Sequence, residues 1–225
     1  MPKVMLSLDE RVALLSAENR VVITLSDFNS KLGDMPNFSL IPGESCTCAT
    51  ELCSNACYAK AYCRVYKSSE VAYYKNMQLV LLDPNWQMPI IKDLSKRPKY
   101  FRIHTAGDFF SPKYINEWEN IIKAFPETRF LAFTRAWRNP RLRKELNRLR
   151  KLPNCQIIAS IDAEAHNAPK GWRTASMGKP ETMVGPTIMC PNFGPAKLTC
   201  DKCGICFKSL RCNLWFPIHG TVKKS

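Results

Sequence analysis

The sequence predicts an α/β protein, built as a partial (β/α) barrel or an open parallel sheet, with a cysteine-rich C-terminal module. Strand-like and helix-like segments alternate through the middle of the chain, which is the pattern of parallel βαβ units. The chain has 225 residues. A complete eight-stranded barrel typically takes about 250 residues, which favours the partial or open form. Eleven cysteines fall mainly into two groups on either side of this middle part.

The first part of the chain leads into the first cysteine group. An amphipathic segment is followed by a strand candidate, Arg20 to Leu25, that is rich in β-branched residues. A turn-rich segment of glycines and prolines comes next and predicts that the first cysteines lie on a loop. From about Tyr58 to Leu82 the apolar spacing predicts one helix, which Asp83-Pro84 ends.

The middle of the chain predicts three strands and two helices. Ser111 and Asn139 each precede a proline, a combination that starts a helix, because the side chain caps and the proline fits the first turn. The strands that flank and separate these helices are predicted at 100–104, 129–134 and 155–161. Because such crossovers are right-handed, the carboxyl ends of these strands gather at one edge, where folds of this kind place their chemistry.

The chain divides at about residue 166. Residues 1–166 are predicted to form the α/β core with the cysteine loop, whereas from Asn167 the periodicity fails and a loop is expected. Residues 167–225 would therefore comprise this loop and a cysteine-rich module packed on the core.

The composition is that of a globular protein without a membrane span. Hydrophobic residues make up 45% of the chain, and no apolar run approaches the length of a transmembrane helix. The N-terminus carries acidic residues within its apolar stretch, so it does not resemble a signal peptide. We expect a cytoplasmic protein, and in that reducing compartment clustered thiols favour metal ligation over disulfides. Cys155, alone in a strand-like run, is interpreted as a buried small hydrophobic residue.

The second cysteine group predicts a metal centre. Cys200, Cys203 and Cys206 are separated by two residues each, as in ferredoxin sites for a 4Fe-4S cluster. Zinc is the alternative, although zinc sites more often use two separated cysteine pairs or histidines. The fourth ligand would be Cys190 or Cys212.

The first cysteine group is more loosely spaced. Cys48, Cys53 and Cys57 give three ligands, and Cys46 or Cys63 would supply a fourth. If only three cysteines bind an iron–sulfur cluster here, one iron keeps an open coordination position for a small molecule. Catalytic zinc sites keep an open position in the same way. The alternative is a closed site with a purely structural role.

The net charge of +14 is unevenly distributed. Residues 129–151 contain nine basic residues and one acidic residue, Glu145. Such a field attracts polyanions, so DNA or RNA is an expected partner, although a basic helix face is often only solvated. The residues expected to make this contact are Arg135, Arg138, Arg141, Arg143 and Arg148.

Other single residues favour structural roles. His104 lies on a predicted strand and is interpreted as a core histidine, and Tyr62, Tyr66 and Tyr73 as core residues rather than a stacking surface for bases. His166 and His219 are less favoured metal ligands, because the cysteines suffice. The sequence indicates neither the substrate nor the oligomeric state.

Several landmarks together resemble the phage gene product 88 family. They are Lys31-Leu32-Gly33 with Pro36 and Phe38-Ser39-Leu40, the run from Cys48 to Cys57-Tyr58-Ala59, Gly107-Asp108-Phe109-Phe110, the second cysteine group from Cys190-Pro191 to Cys206, and His219-Gly220. This resemblance implies a phage-encoded protein, which would act in the host cytoplasm.

A more distant resemblance is to radical S-adenosylmethionine enzymes, which carry three cysteines before the first helix of a partial barrel and a glycine-acid motif after the next strand. It implies a 4Fe-4S cluster on Cys48, Cys53 and Cys57, and an auxiliary cluster on the second cysteine group. Ala106 and Asp108 stand here where those enzymes have glycine and glutamate, and the cysteine spacing is wider. The residues implied to bind S-adenosylmethionine or a substrate are Gly107, Asp108, Thr134, Ser160 and Asp162.

The expected function is therefore that of an iron–sulfur protein resembling these radical enzymes, with one or two clusters. The alternative is a non-catalytic iron–sulfur or zinc protein that binds nucleic acid.

Overall fold

The computed structural model describes residues 30–178, 183 and 185–217. The strand predicted at Arg20 to Leu25 and the landmark His219-Gly220 lie outside these residues. Seven parallel strands form one open sheet in the order β1-β2-β3-β4-β5-β7-β6, which confirms the predicted α/β class in its open form. The strands are β1 Asn37–Phe38, β2 Tyr100–Ile103, β3 Arg129–Thr134, β4 Cys155–Ile161, β5 Thr174–Met177, β6 Thr187–Met189 and β7 Asn213–Phe216.

Seven α-helices lie in the described ranges. They are α1 Glu51–Asn55, α2 Tyr58–Val65, α3 Lys67–Leu82, α4 Met88–Leu94, α5 Pro112–Ala124, α6 Pro140–Leu149 and α7 Cys200–Cys203. The predicted starts of α5 and α6 are confirmed, because Ser111 Oγ accepts from Tyr114 N at 3.2 Å and Asn139 Oδ1 accepts from Arg141 N at 2.9 Å. Both helices bury one apolar face against the sheet.

The two faces of the sheet are covered differently. Phe101 and Phe130 belong to the large core that contains the helices. Leu131 follows Phe130 in β3, so its side chain lies on the opposite face of the sheet. Leu131 and Ile158 of β4 pack with Phe207 of the C-terminal cysteine module. The module therefore covers the face of the sheet opposite the helices. The domain boundary near residue 166 stays a prediction.

Two local predictions were wrong. The loop expected after Asn167 contains β5, a central strand between β4 and β7. The segment Thr-Ala-Ser-Met carries little strand propensity, and pairing on both sides stabilises it instead. The single helix from Tyr58 to Leu82 is interrupted at Tyr66, whose φ of −114° and ψ of 91° are extended.

The histidine and cysteine interpretations are confirmed by burial. His104 is 2% exposed, and its Nε2 lies 2.8 Å from Tyr114 Oη. Burial lowers the pKa of His104 to about 3, so the imidazole is neutral. Cys155 is 1% exposed, and burial raises its pKa. Among the described helices, none is long and apolar enough to cross a membrane.

Candidate metal centre

The first cysteine loop is anchored to the carboxyl edge of the sheet. Thr50 Oγ1 donates to Asp162 Oδ2, directly after β4, at 2.6 Å. The same hydroxyl caps α1 by accepting from Cys53 N at 3.0 Å. The carboxylate of Glu164 accepts from the first two backbone N–H groups of α1, each at 2.9 Å. Two residues that follow β4 thus fix the start of the helix that carries Cys53.

Asp108 fixes the neighbouring strand end. Its carboxylate accepts from Thr134 Oγ1 at 2.5 Å, from Arg135 N at 2.8 Å and from Phe109 N at 2.7 Å. Burial raises the pKa of this carboxyl to about 6, although all three hydrogen bonds oppose the rise. Both carboxylate oxygens are therefore used within the chain, and Asp108 acts here as a positioning residue.

Arg135 connects the two strand ends with the cysteine loop. Its Nη1 lies 2.7 Å from Asp162 Oδ2, an ion pair outside hydrogen-bond alignment, and its side chain is 14% exposed. Burial raises the pKa of the Cys53 thiol, while the charge and a hydrogen bond of Arg135 oppose this rise. Arg135 thus stabilises the thiolate form of Cys53, which is the form that binds a metal.

Gly107 allows the loop to approach the strand end. It has a φ of +82°, and a Cβ there would lie 2.6 Å from Ser45 Oγ and 2.7 Å from Leu40 Cβ. Any larger residue would separate the sheet edge from the start of the cysteine loop.

Four thiols of the first group lie close enough for their charges to interact, namely those of Cys46, Cys53, Cys57 and Cys63. Burial, followed by the charge of Asp108, raises the pKa of Cys46 to about 12. Cys48, a predicted ligand, packs against the core, and its carbonyl oxygen accepts from Arg138 Nη1 at 2.8 Å. Of the two alternatives predicted for the fourth ligand, Cys46 interacts with both Cys53 and Cys57, and Cys63 interacts with Cys57.

Four thiols of the second group interact in the same way. They belong to Cys190, Cys200, Cys203 and Cys206. Burial raises the pKa of Cys200 to about 11 and that of Cys206 to about 12. Cys190 follows β6 directly, so the end of a strand brings it to the group. The geometry favours Cys190 over Cys212 as the fourth member.

Three cationic side chains surround this second group. Lys31 interacts with Cys190 and Cys200, Arg102 with Cys200 and Cys206, and Arg173 with Cys206. Burial lowers the pKa of both Lys31 and Arg102. Lys31 and Arg102 are half-buried, and thiolates or a thiolate-bound metal centre would be anionic neighbours for them.

The backbone of this group packs closely on the rest of the chain. Gly204 has a φ of +61°, and a Cβ there would lie 2.5 Å from Tyr100 Oη. Cys200 N donates to Lys31 O at 3.0 Å, and Asp201 N donates to Leu32 O at 3.1 Å. The turn around residue 31 therefore fixes the start of α7.

The donor set suits a soft metal, but the thiols are not in a coordination sphere. All eleven cysteines lack disulfides. Within residues 30–178 and 185–217, no three histidine, cysteine or acidic side chains are placed to hold a metal ion as they stand. Metal binding therefore requires deprotonation and an inward turn of the thiols.

The comparisons with known proteins identify the family. The family described as "Gene product 88" matches residues 13–209. The chain belongs to the gene product 88 family. It is 28% identical to the Gene 88 protein of Mycobacterium phage L5 over 87% of this chain and 91% of that protein. It is 26% identical to the Gene 88 protein of Mycobacterium phage D29 over the same shares. No solved structure matches.

For this member of the gene product 88 family, the structure brings most predicted site residues together. Gly107, Asp108, Thr134 and Asp162 lie at one edge beside the first cysteine loop. Ser160 contributes its carbonyl oxygen, which accepts from Trp137 Nε1 at 3.0 Å. Arg135, expected on a nucleic-acid surface, lies instead within this site.

The other arginines of the predicted nucleic-acid surface differ in whether they form ion pairs or hydrogen bonds within the chain. Arg138 is bound to the cysteine loop, and Arg148 pairs with Glu119 and Glu145 at 2.6 and 2.7 Å. Arg141 and Arg143 make no ion pair within the described part of the chain. The basic surface of α6 is thus smaller than its sequence indicates.

Proposed function

We propose that this protein holds a 4Fe-4S cluster on Cys190, Cys200, Cys203 and Cys206. The gathering of these four thiols among three cations, two of them with lowered pKa values, carries the proposal. A cluster with four thiolates has a net negative charge, so Lys31 and Arg102 would face an anion in place of neutral thiols. The spacing of two residues between successive cysteines supports iron–sulfur over zinc.

We further propose that the first cysteine loop holds a second cluster with one open iron. Cys53 and Cys57 would be ligands, with Cys46 or Cys48 as the third. S-adenosylmethionine is the small molecule that the resemblance implies, and such a cluster would supply an electron for its cleavage. Gly107, Thr134, Ser160 and Asp162 lie at or beside the carboxyl edge where this molecule would bind. Asp108 and Arg135 would position the edge and the thiolate of Cys53.

Metal analysis of anaerobically prepared protein tests the first proposal. We expect iron and acid-labile sulfide in equal amounts. The double substitution Cys200→Ser with Cys203→Ser should remove about four irons per chain, the content of one cubane. Cys212→Ser is the matched control and should retain the iron. If the protein instead contains one zinc per chain and no sulfide, the cluster proposal is wrong and the site is a structural zinc site.

The first loop is tested separately by spectroscopy of the reduced cluster. Adding S-adenosylmethionine should change its electron paramagnetic resonance signal, and Cys53→Ser should abolish that change. Comparing Cys46→Ser with Cys48→Ser identifies the third ligand. An unchanged signal and no cleavage on reduction would refute the radical chemistry and leave the cluster on the second group intact.

A second candidate function is nucleic-acid binding. The net charge of +14 and the unpaired Arg141 and Arg143 of the described α6 favour it. Binding to DNA or RNA should weaken steeply as the salt concentration rises. The combined substitution Arg141→Gln with Arg143→Gln should reduce the slope of log affinity against log salt concentration. Wild-type affinity and slope in this variant would mean that α6 is only solvated.

A further inference from the structure

An exposed tyrosine stripe runs along α2 and ends at Tyr66, the residue that follows it. The exposed fractions are 62% for Tyr58, 46% for Tyr62 and 51% for Tyr66, and Val65 beside them is 63% exposed. The sequence favoured core positions for Tyr62 and Tyr66, and that interpretation was wrong. Four large apolar side chains exposed within nine residues form a patch of the kind that marks a binding surface.

The rings of this stripe are held in place. Tyr58 and Tyr62 are four residues apart and so lie on one side of α2. The rings of Tyr62 and Tyr66 have centroids 4.5 Å apart at an interplanar angle of 42°. The hydroxyl of Tyr58 donates to Thr105 O, which fixes that ring beside the carboxyl edge of the sheet. The stripe therefore leads towards the first cysteine group.

The charged residues within the segment that carries the stripe have one sign. No acidic residue occurs between Glu51 and Glu70, whereas Lys60, Arg64 and Lys67 lie in this interval. Lys67 Nζ pairs with Glu70 Oε2 at 2.9 Å, while Arg64 is exposed on α2 itself. Exposed aromatic faces next to cations suit a partner that is both anionic and planar.

We propose that α2 is a binding surface for single-stranded nucleic acid. Bases would stack on Tyr62 and Tyr66, and phosphates would lie near Lys60 and Arg64. A duplex is a poorer fit, because its bases are stacked inside and their faces are not accessible to a helix surface. This inference rests on the second candidate function, for which it names a surface other than α6.

Fluorescence anisotropy with a labelled oligothymidine of about 20 nucleotides tests the proposal. The full chain is used, and the metal content of each preparation is measured beforehand. The pair Tyr62→Leu with Tyr66→Leu keeps apolar area but removes the rings, and we expect at least tenfold weaker binding. The pair Tyr62→Phe with Tyr66→Phe keeps the rings and should bind like the wild type. Leu82→Ala, an exposed apolar residue on another helix, is the matched control.

Each other outcome overturns the inference. Wild-type affinity in the leucine pair would show that stacking is not used. If only the arginine variants of α6 lose binding, the nucleic-acid function stands and its surface is α6. No binding by the wild type at low salt would reject both. If the leucine pair loses dimers in light scattering but keeps oligonucleotide binding, the stripe contacts a second copy of the chain. If it loses cosedimentation with anionic vesicles but keeps oligonucleotide binding, the stripe contacts a lipid surface.

Discussion

Thr50 Oγ1 donates to Asp162 Oδ2 at 2.6 Å, across 112 positions of sequence. This hydrogen bond is buried and joins the cysteine loop to the end of β4. Because the same hydroxyl caps α1, it couples the start of a helix to the carboxyl edge of the sheet. The position of Cys53 therefore depends on a residue that is not itself a candidate metal ligand.

Replacing Thr50 by valine should loosen the first cysteine loop. The substitution removes the cap and leaves Asp162 without one donor, so we expect a loss of about 1–3 kcal/mol in the free energy of unfolding. Urea unfolding measures this loss, and iron content measures the effect on the loop. Ser68→Ala, which removes an exposed hydroxyl on α3, should change neither quantity. Equal stability of both variants would show that the anchor is not used.

Asp108 should make stability depend on pH. Its folded-state pKa of about 6 lies above the ordinary 3.8, so the folded chain binds the proton more tightly than the unfolded chain. This contribution to stability is complete below the ordinary pKa and is lost as the pH rises through 6. His104, with its pKa lowered to about 3, contributes with the opposite sign, since its contribution is lost as the pH falls.

The variant Asp108→Asn isolates the contribution of Asp108. Its destabilisation relative to the wild type should be larger at pH 4.5 than at pH 7 by about 2 kcal/mol, because the wild-type carboxyl is neutral only at the lower pH. Denaturant unfolding at both values measures the difference. A constant difference at the two pH values would contradict the raised pKa.

Gly204→Ala should disrupt the second cysteine group. The left-handed backbone costs about 1–2 kcal/mol for alanine, and the contact with Tyr100 Oη adds to this cost. Gly171→Ala is the matched control, because its φ is +81° and nothing lies within 4 Å of its Cβ position. We expect lower stability and less iron in the first variant than in the second. Similar values for both would mean that Tyr100 moves aside without consequence.

Arg148→Gln should act on stability rather than on nucleic-acid binding. Arg148 pairs with Glu119, whose side chain is 7% exposed, so its loss leaves that carboxylate with Lys123 alone. We expect a loss of up to about 1 kcal/mol, since Arg148 itself is half exposed. Thermal unfolding measures it, with Arg141→Gln as the control. A changed salt slope for oligonucleotide binding in Arg148→Gln would return this residue to the binding surface.

The sequence predicted those parts of the fold that local patterns determine. The caps at Ser111 and Asn139 and the strands beside them follow from neighbouring residues alone. β5 could not be found in this way, because Thr174–Met177 is stabilised by β4 and β7 rather than by its own composition. The exposure of Tyr62 is a second example, since helical spacing alone does not distinguish an inward from an outward aromatic face.

The sequence indicated the cysteines and the strand ends of the candidate site. It did not indicate which charged side chains lie beside the thiols. Arg135 is one basic residue of nine in its region, and only the fold turns it towards Asp162 and Cys53. Lys31 and Arg102 come from distant segments and carry no sequence signal that relates them to Cys200. Contacts between segments far apart in sequence determine these placements.

The hydrogen bonds from Cys200 and Asp201 to the turn at residues 31 and 32 have a consequence for biosynthesis. The second set of thiols cannot assemble on this anchor until the chain has been synthesised through Cys206, since the anchor and the cysteines lie far apart in the sequence. A chain truncated before Cys200 would keep most strands of the sheet yet lack this centre. Insertion of the proposed cluster would then distinguish chains that include Cys206 from shorter ones.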